Sequence, residues 1–347
     1  MPCRDYLPLF KILLTINDQT MILPYFNKNN QAFLLFKSIN PLNTIMPYLI
    51  LILSLLLCLP LQAQKIDKGS LLHDIQTLSA DNMEGRKAGT AGGEKARNFL
   101  IGRFKEIGLL TFEGGYEQYF GFNTFRNNER YENCVNLIGY IPGESSDAIV
   151  ISAHYDHLGM ANGEIYNGAD DNASGTAALL AMAEFFSKNK PKHTLIFAAF
   201  DAEEQGKKGA IYWVAKPHVP LSQVVLNINM DMISQNEKNE LWASGTYHFP
   251  FLKPLIEEVE VPQGLNLRFG HDRPEQGADD WTNSSDHSAF FKEGIPFVYF
   301  GVEDHPRYHK PTDTFEAVQP DFYFKAASFV LETLQHLDKL DLRKARN

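Results

Sequence analysis

Four apolar runs constrain most tightly what this chain can fold into. Residues 148–153, Thr194–Phe200, Val224–Met230 and 295–300 are short, dominated by apolar side chains, and separated by stretches of helical period. Such runs read as strands buried on both faces; half-exposed strands would alternate apolar and polar residues. Helices are expected at 174–186, 209–215, 251–259, 285–292 and 321–337. Upstream, residues 69–109 read as helix, polar turn, helix. There Ala96, Phe99, Leu100 and Phe104 recur at helical spacing, and Gly108 ends the second helix. Residues 134–140 form a further strand, and 112–131 read as edge strands and loops. Strands alternating with helices predict the α/β class: a single domain with a central mixed, mostly parallel β-sheet flanked by helices on both faces. There is no internal repeat, low-complexity tract or flexible linker.

In open α/β sheets, ligands collect beyond the carboxyl ends of the strands. The strand at 148–153 delivers His154 and Asp156 to that edge. Thr194–Phe200 delivers Asp201, Glu203 and Glu204, and Val224–Met230 delivers Asp231. The loop after the first of these strands carries Asp170 and Asp171, and SSDHSAFF (284–291) brings Asp286 and His287. Residues 236–280, irregular in composition, are expected to form an excursion over this edge.

This is metal chemistry. Hard divalent ions in hydrolases are held by imidazole nitrogen and carboxylate oxygen. Two such ions roughly 3.5–4 Å apart need a bridging carboxylate, terminal ligands on each side and open positions for water and substrate. One imidazole and one acidic terminal ligand per ion, plus the bridge, makes five. His154, Asp171, Glu204, Asp231 and His287 meet that count, with Glu203 left over as a separate base. Because Glu203 and Glu204 are consecutive, their side chains diverge, so one can bind metal while the other faces water. Asp156 is a candidate to accept the ring N–H of His154 and fix its tautomer, and Asp286 is placed to serve His287 in the same way.

The segments SAHYDHLG (152–159), NGADDNASG (167–175), FDAEEQG (200–206), NMDMIS (229–234), SSDHSAFF (284–291) and YHKPTDT (308–314), in this order, resemble the M28 family of zinc peptidases. DNMEGRKAGTAGG (81–93) resembles the segment that precedes the catalytic core in bacterial members, so the resemblance covers essentially all of 70–340. It implies a zinc aminopeptidase-like fold and two Zn2+ per chain. His154 and Asp231 would bind one zinc, Glu204 and His287 the other, with Asp171 as the bridge and Glu203 as the general base. Asp170 is then not a ligand, and the Asp171–Asn172 bond matches a place where the family often has a cis peptide. The implied activity is that of a secreted exopeptidase, first an aminopeptidase, removing N-terminal residues from peptides with a metal-activated water. The alternatives are a glutaminyl-cyclase-like enzyme, a carboxypeptidase or dipeptidase of the same fold, and a catalytically silent binding protein.

Other groups have blander readings. Asp170 suits a loop hydrogen bond, Asp201 a structural one, and Cys134 an inert core thiol. Tyr308 and His309 are candidates for substrate contact or for organising their loop, and His157 lies near the site in sequence. A net charge of −10 with no basic stripe gives nucleic-acid binding no support. Of Cys3, Cys58 and Cys134, only the last falls in the expected mature domain, so metal binding must rest on imidazoles and carboxylates.

At the front, the apolar run 49–59 is too short for a bilayer span of about 20 residues and fits a signal-peptide core. Residues 61–63 end in a small side chain, Ala63, ahead of a cut at Gln64. The expected organisation is an upstream extension from an overcalled start at 1–45, a signal peptide at 46–63 and the catalytic domain at 64–347. The protein would then be secreted or periplasmic, with no stable membrane span after cleavage. The alternative is an uncleaved anchor with Lys37 on the cytoplasmic side.

Overall fold

The apolar runs pair with one another, as their composition requires. The computed structural model describes residues 66–124 and 130–346, together with the backbone of a two-residue antiparallel pair, Tyr25–Phe26 with Ala32–Phe33. The signal segment expected at 46–63 and the rest of the 1–45 extension lie outside the described residues. Residues Gln64–Asn347 form one compact unit.

Its strands are β1 (Glu117–Asn123), β2 (Arg130–Ile141), β3 (Ala148–His154), a small hairpin of β4 (Gly159–Ala161) and β5 (Glu164–Tyr166), β6 (Thr194–Phe200), β7 (Val224–Met230), β8 (Glu240–Ser244), β9 (Asn266–Phe269) and β10 (Phe297–Gly301). Eight of them make one sheet in the order β9-β8-β10-β7-β3-β6-β2-β1. The centre is parallel, with β3 between β6 and β7 and β10 beside β7. At one side β2 and β1 join antiparallel; at the other, β8 runs antiparallel to β10 and β9 parallel to β8. This is the mixed, mostly parallel sheet expected from the sequence.

Helices cover both faces. Ile149, Ile151, Leu195, Phe197 and Ala199 pack under α1 (Lys68–Leu78), α2 (Ala91–Ile107), α3 (Gly175–Lys188) and α7 (Pro320–Lys339). Their alternates Val150, Ile196, Ala198 and Phe200 pack against Trp213 of α4 (Lys208–Ala215) and Phe290 of α6 (His287–Lys292). Strand side chains alternate between faces, so burial on both sides demands apolar residues at every position. Asp67 caps α1 by accepting from Ser70 N at 2.6 Å, and Gly108 ends α2 in the left-handed region at φ 82°. A short α5 (Leu252–Glu257) lies between β8 and β9, and α8 (Leu342–Arg346) closes the described chain.

Residues 236–280 differ from expectation. They are not a plain excursion, because β8 and β9 within them extend the sheet edge. Both strands are short and only partly buried, so their composition carries little strand signal. The part beyond β9 does reach the ligand edge, where Ala278 and Trp281 wall a cavity.

Candidate metal centre

Strands β3 and β7 are parallel neighbours, so the residues at their carboxyl ends emerge side by side. His154 Nε2 stands 3.2 Å from Asp231 Oδ1 and 3.4 Å from Asp171 Oδ1. Asp171 arrives on the β3–α3 loop, which is tied down by Asn172 and Asp313. The Asp171–Asn172 peptide is cis. Asn172 donates from Nδ2 to Met230 O at 2.9 Å and accepts at Oδ1 from Gly175 N and Met232 N. Asp313 accepts from the backbone amides of Asp170 and Asp171 at 3.0–3.1 Å. Gly168 opens the loop in the left-handed region at φ 55°, where a Cβ would run into Asp171 O and the His157 ring.

The second oxygen of Asp171 faces a different pair. His309 Nε2 lies 3.1 Å from Asp171 Oδ2 and 3.3 Å from Glu204 Oε2. His157 Nδ1 lies 2.8 Å from Glu204 Oε1 and 3.7 Å from Asp171 Oδ2. Glu203 and Glu204 follow β6 through Ala202, which has left-handed backbone at φ 58°. Their amides donate to Asp156 Oδ1 and Oδ2 at 2.9 and 3.4 Å. Met232 after β7 and His309 also have positive φ, so three non-glycine residues around the site adopt a conformation found preferentially at functional positions.

The electrostatics are those of crowded carboxylates and imidazoles. Burial pushes the Glu203 carboxyl well above the usual range. Burial would also raise Glu204, but the His157 and His309 imidazoles beside it hold it well below. Burial would lower His309, yet its hydrogen bonds to Asp171 and Glu204 hold it at about 10. His154 is likewise held high against burial, chiefly by Asp231.

The donor set fits divalent metal. Two groups, His154–Asp171–Asp231 and His157–Asp171–Glu204, have ligand atoms within 4.8 Å of one another and share Asp171. Both ring nitrogens of His157 and Oε1 of Glu204 are buried without a hydrogen-bond partner, although His157 Nδ1 and Glu204 Oε1 are only 2.8 Å apart. Buried polar atoms without partners are uncommon, and a metal-binding site is one place to expect them.

Four of the five residues expected as ligands therefore converge: His154, Asp171, Glu204 and Asp231. His287 does not join them. It is buried at the start of α6, its Nε2 donates to Trp281 O at 2.8 Å, and its ring packs against Phe297 and Tyr299. Burial lowers it to about 4, so it stays a neutral imidazole. The position near Glu204 and Asp171 is taken instead by His309 and His157.

The two supporting residues differ. Asp156 meets His154 Nδ1 through its backbone carbonyl at 3.1 Å and through carboxylate Oδ1 at 3.6 Å, and the same carboxylate holds the Glu203–Glu204 backbone. Asp286 does not serve His287: both its carboxylate oxygens and His287 Nδ1 are without hydrogen-bond partners. Burial raises Asp286 to about 7. Asp170 has the loop function expected of it, accepting from Ser234 N and Oγ and from His305 Nε2. Cys134 is a buried free thiol pushed up to about 12 by burial. Tyr308 stacks on the His309 ring with centroids 3.9 Å apart. Sequence reasoning missed Asp313 and the wall residue Trp281. For Asp313 a signal existed, since it lies inside YHKPTDT.

His154, Asp171, Glu203, Asp231 and His309 open onto a cavity of about 220 Å3, walled by Met232, Trp281, Tyr299, Val302 and Tyr308. An eight-stranded mixed sheet with a carboxylate–imidazole centre at the carboxyl ends of its parallel strands defines the class of protein. The chain belongs to peptidase family M28, whose model matches residues 136–334. It is 27% identical over 217 residues to aminopeptidase YwaD of Bacillus subtilis (strain 168), covering 58% of this chain and 44% of YwaD. The fold is similar to that of a leucine aminopeptidase precursor from Bacteroides thetaiotaomicron VPI-5482, with TM-score 0.65 and 18% identity over 79% of this chain and 98% of that one. It is similar also to a Bacteroides thetaiotaomicron glutaminyl cyclase, with TM-score 0.64 and 18% identity over 79% and 99%. The chain spans about half or less of the length of the curated relatives it matches. Among the described residues, no helix is long and apolar enough to cross a membrane.

Proposed function

We propose that this chain is a di-zinc aminopeptidase that releases N-terminal residues from peptides. The observation that carries the reading is the pair of imidazole–carboxylate clusters sharing Asp171, which lines one cavity together with His154, Asp231 and His309. In this reading His154 and Asp231 would hold one zinc and Glu204 and His309 the other, with Asp171 shared between them. His309 is preferred to His157 because it lines the cavity, where a catalytic ion needs an open position. His157, wholly buried against Glu204 Oε1, then steadies that ligand from behind. When bound, zinc supplies Lewis-acid polarisation of the scissile carbonyl and an acidified water.

The remaining work falls to side chains. Glu203 lines the cavity, takes a proton from the attacking water and returns it to the leaving amine. Burial raises its carboxyl, which makes it a stronger proton acceptor than an ordinary carboxylate. Among the described residues no Lys or Arg lines the cavity, so no ammonium or guanidinium is at hand for a substrate C-terminal carboxylate. That favours trimming from the amino end over a carboxypeptidase. The apolar run 49–59 supports a secreted or periplasmic enzyme.

The test is a substrate panel on the protein from Gln64 onward, with and without chelator. Chelator-sensitive release of N-terminal residues supports the reading. Cyclisation of N-terminal glutamine without such release moves the chain to the glutaminyl-cyclase alternative, and bound zinc without turnover moves it to a binding protein.

A further inference from the structure

The cavity contains one carboxylate that neither metal binding nor proton transfer uses. Asp304 follows β10 by three residues, at the carboxyl edge of the sheet where ligands collect. It lines the same cavity as Asp171, Glu203 and Asp231. Each of those three has an assignment: bridge, proton carrier and terminal ligand. The Asp304 side chain has no hydrogen bond or salt bridge among the described residues. Its neighbour Glu303 behaves differently, approaching Lys238 Nζ at 4.0 Å and His271 Nε2 at 3.6 Å. The Asp304 carboxylate feels the His309 and His305 imidazoles without hydrogen-bonding either, and Met232, Trp281, Val302 and Tyr308 line the same cavity.

A carboxylate without a hydrogen-bond partner, in a cavity that no lysine or arginine lines among the described residues, is complementary to a substrate that carries its own cation. We propose that Asp304 is the specificity residue that takes the cationic group of the substrate's N-terminal residue, either its α-ammonium or a charged side chain. The inference rests on the aminopeptidase reading and deepens it. The apolar walls receive the aliphatic part of that residue, and Asp304 receives the ammonium or guanidinium. Because Asp304 is exposed and lies outside the ligand set, replacing it leaves the fold and the zinc sites intact.

The test compares wild type with Asp304→Asn and Asp304→Ala on leucyl, norleucyl, lysyl and arginyl anilides, with zinc counted in every preparation. Norleucine has the lysine carbon chain without its charge. The expected result is unchanged zinc and a kcat/KM lower by about tenfold to a hundredfold, the range of a hydrogen bond between charged partners. An equal fall on all four substrates assigns Asp304 to the α-ammonium. A fall confined to the lysyl and arginyl substrates assigns it to the side chain. Unchanged kcat/KM on all four overturns the proposal, as does loss of zinc in the variants. A wild-type protein that releases none of the four residues overturns the aminopeptidase reading itself, and the proposal with it.

Discussion

The Nε2 atom of His309 stands 3.1 Å from Oδ2 of Asp171, while the other carboxylate oxygen, Oδ1, faces His154 at 3.4 Å. A single carboxylate therefore addresses two imidazoles from opposite oxygens, the arrangement a bridging ligand requires. His309 and His154 are far apart in the sequence. Their meeting depends on the Asp171 loop being fixed by Asn172 and Asp313.

His309→Ala is expected to lower the zinc content by about one ion per chain and to reduce kcat/KM by about a hundredfold or more. His287→Ala is expected to keep its zinc. It loses a buried hydrogen bond to Trp281 and is destabilised by about 1–3 kcal/mol. Metal analysis of the two purified variants, paired with urea unfolding, checks both. Zinc loss in His287→Ala with zinc retained in His309→Ala would reverse the assignment.

Glu203→Gln is expected to bind zinc normally and to lose about 10²–10⁴ in kcat, the range for a positioned acid–base group. KM should change little, because the side chain keeps its size and its backbone amide still donates to Asp156. Zinc counting beside steady-state kinetics separates this from a metal-binding defect.

The central strands were legible because burial on both faces leaves little freedom in composition. Thr194–Phe200 and Val224–Met230 have the bounds their apolar runs suggest. β8 and β9 were not legible, being short, partly buried and at an edge. At the site, His154, Asp171, Glu204 and Asp231 stand at or just beyond strand ends or in the loop between β3 and α3, and topology alone draws them together. His287 and His309 could not be ranked that way. One opens a helix and the other sits in a loop at φ 54°, and neither position reveals which way its ring turns. Packing decides it: His287 is taken into the aromatic layer of Phe297 and Tyr299, and His309 is left facing the carboxylates.

Zinc binding is expected to release protons. In the metal-free protein the carboxylates hold His309 at about 10 and raise His154 against the effect of burial, so both imidazoles are biased toward the protonated form. Zinc takes neutral imidazole, so each must lose a proton on binding, and affinity rises with pH through neutrality. Titration calorimetry in buffers of different ionisation enthalpy should show net proton release as the sites fill. Buffer-independent heats would contradict it.

Gly168→Ala is expected to destabilise the protein by about 1–3 kcal/mol and to weaken zinc binding together with stability. The added Cβ would meet Asp171 O and the His157 ring, and the backbone at φ 55° disfavours any L side chain. Urea unfolding of metal-free and zinc-loaded protein checks this, with the larger loss expected in the zinc-loaded form.

The most direct test of the central claim is a crystal structure of the zinc-loaded protein with anomalous data at the zinc edge. The expected result is two peaks roughly 3.5–4 Å apart on either side of Asp171. One should lie in reach of His154 and Asp231, the other in reach of Glu204 and His309. A single peak, or a peak held by His287, would contradict the account.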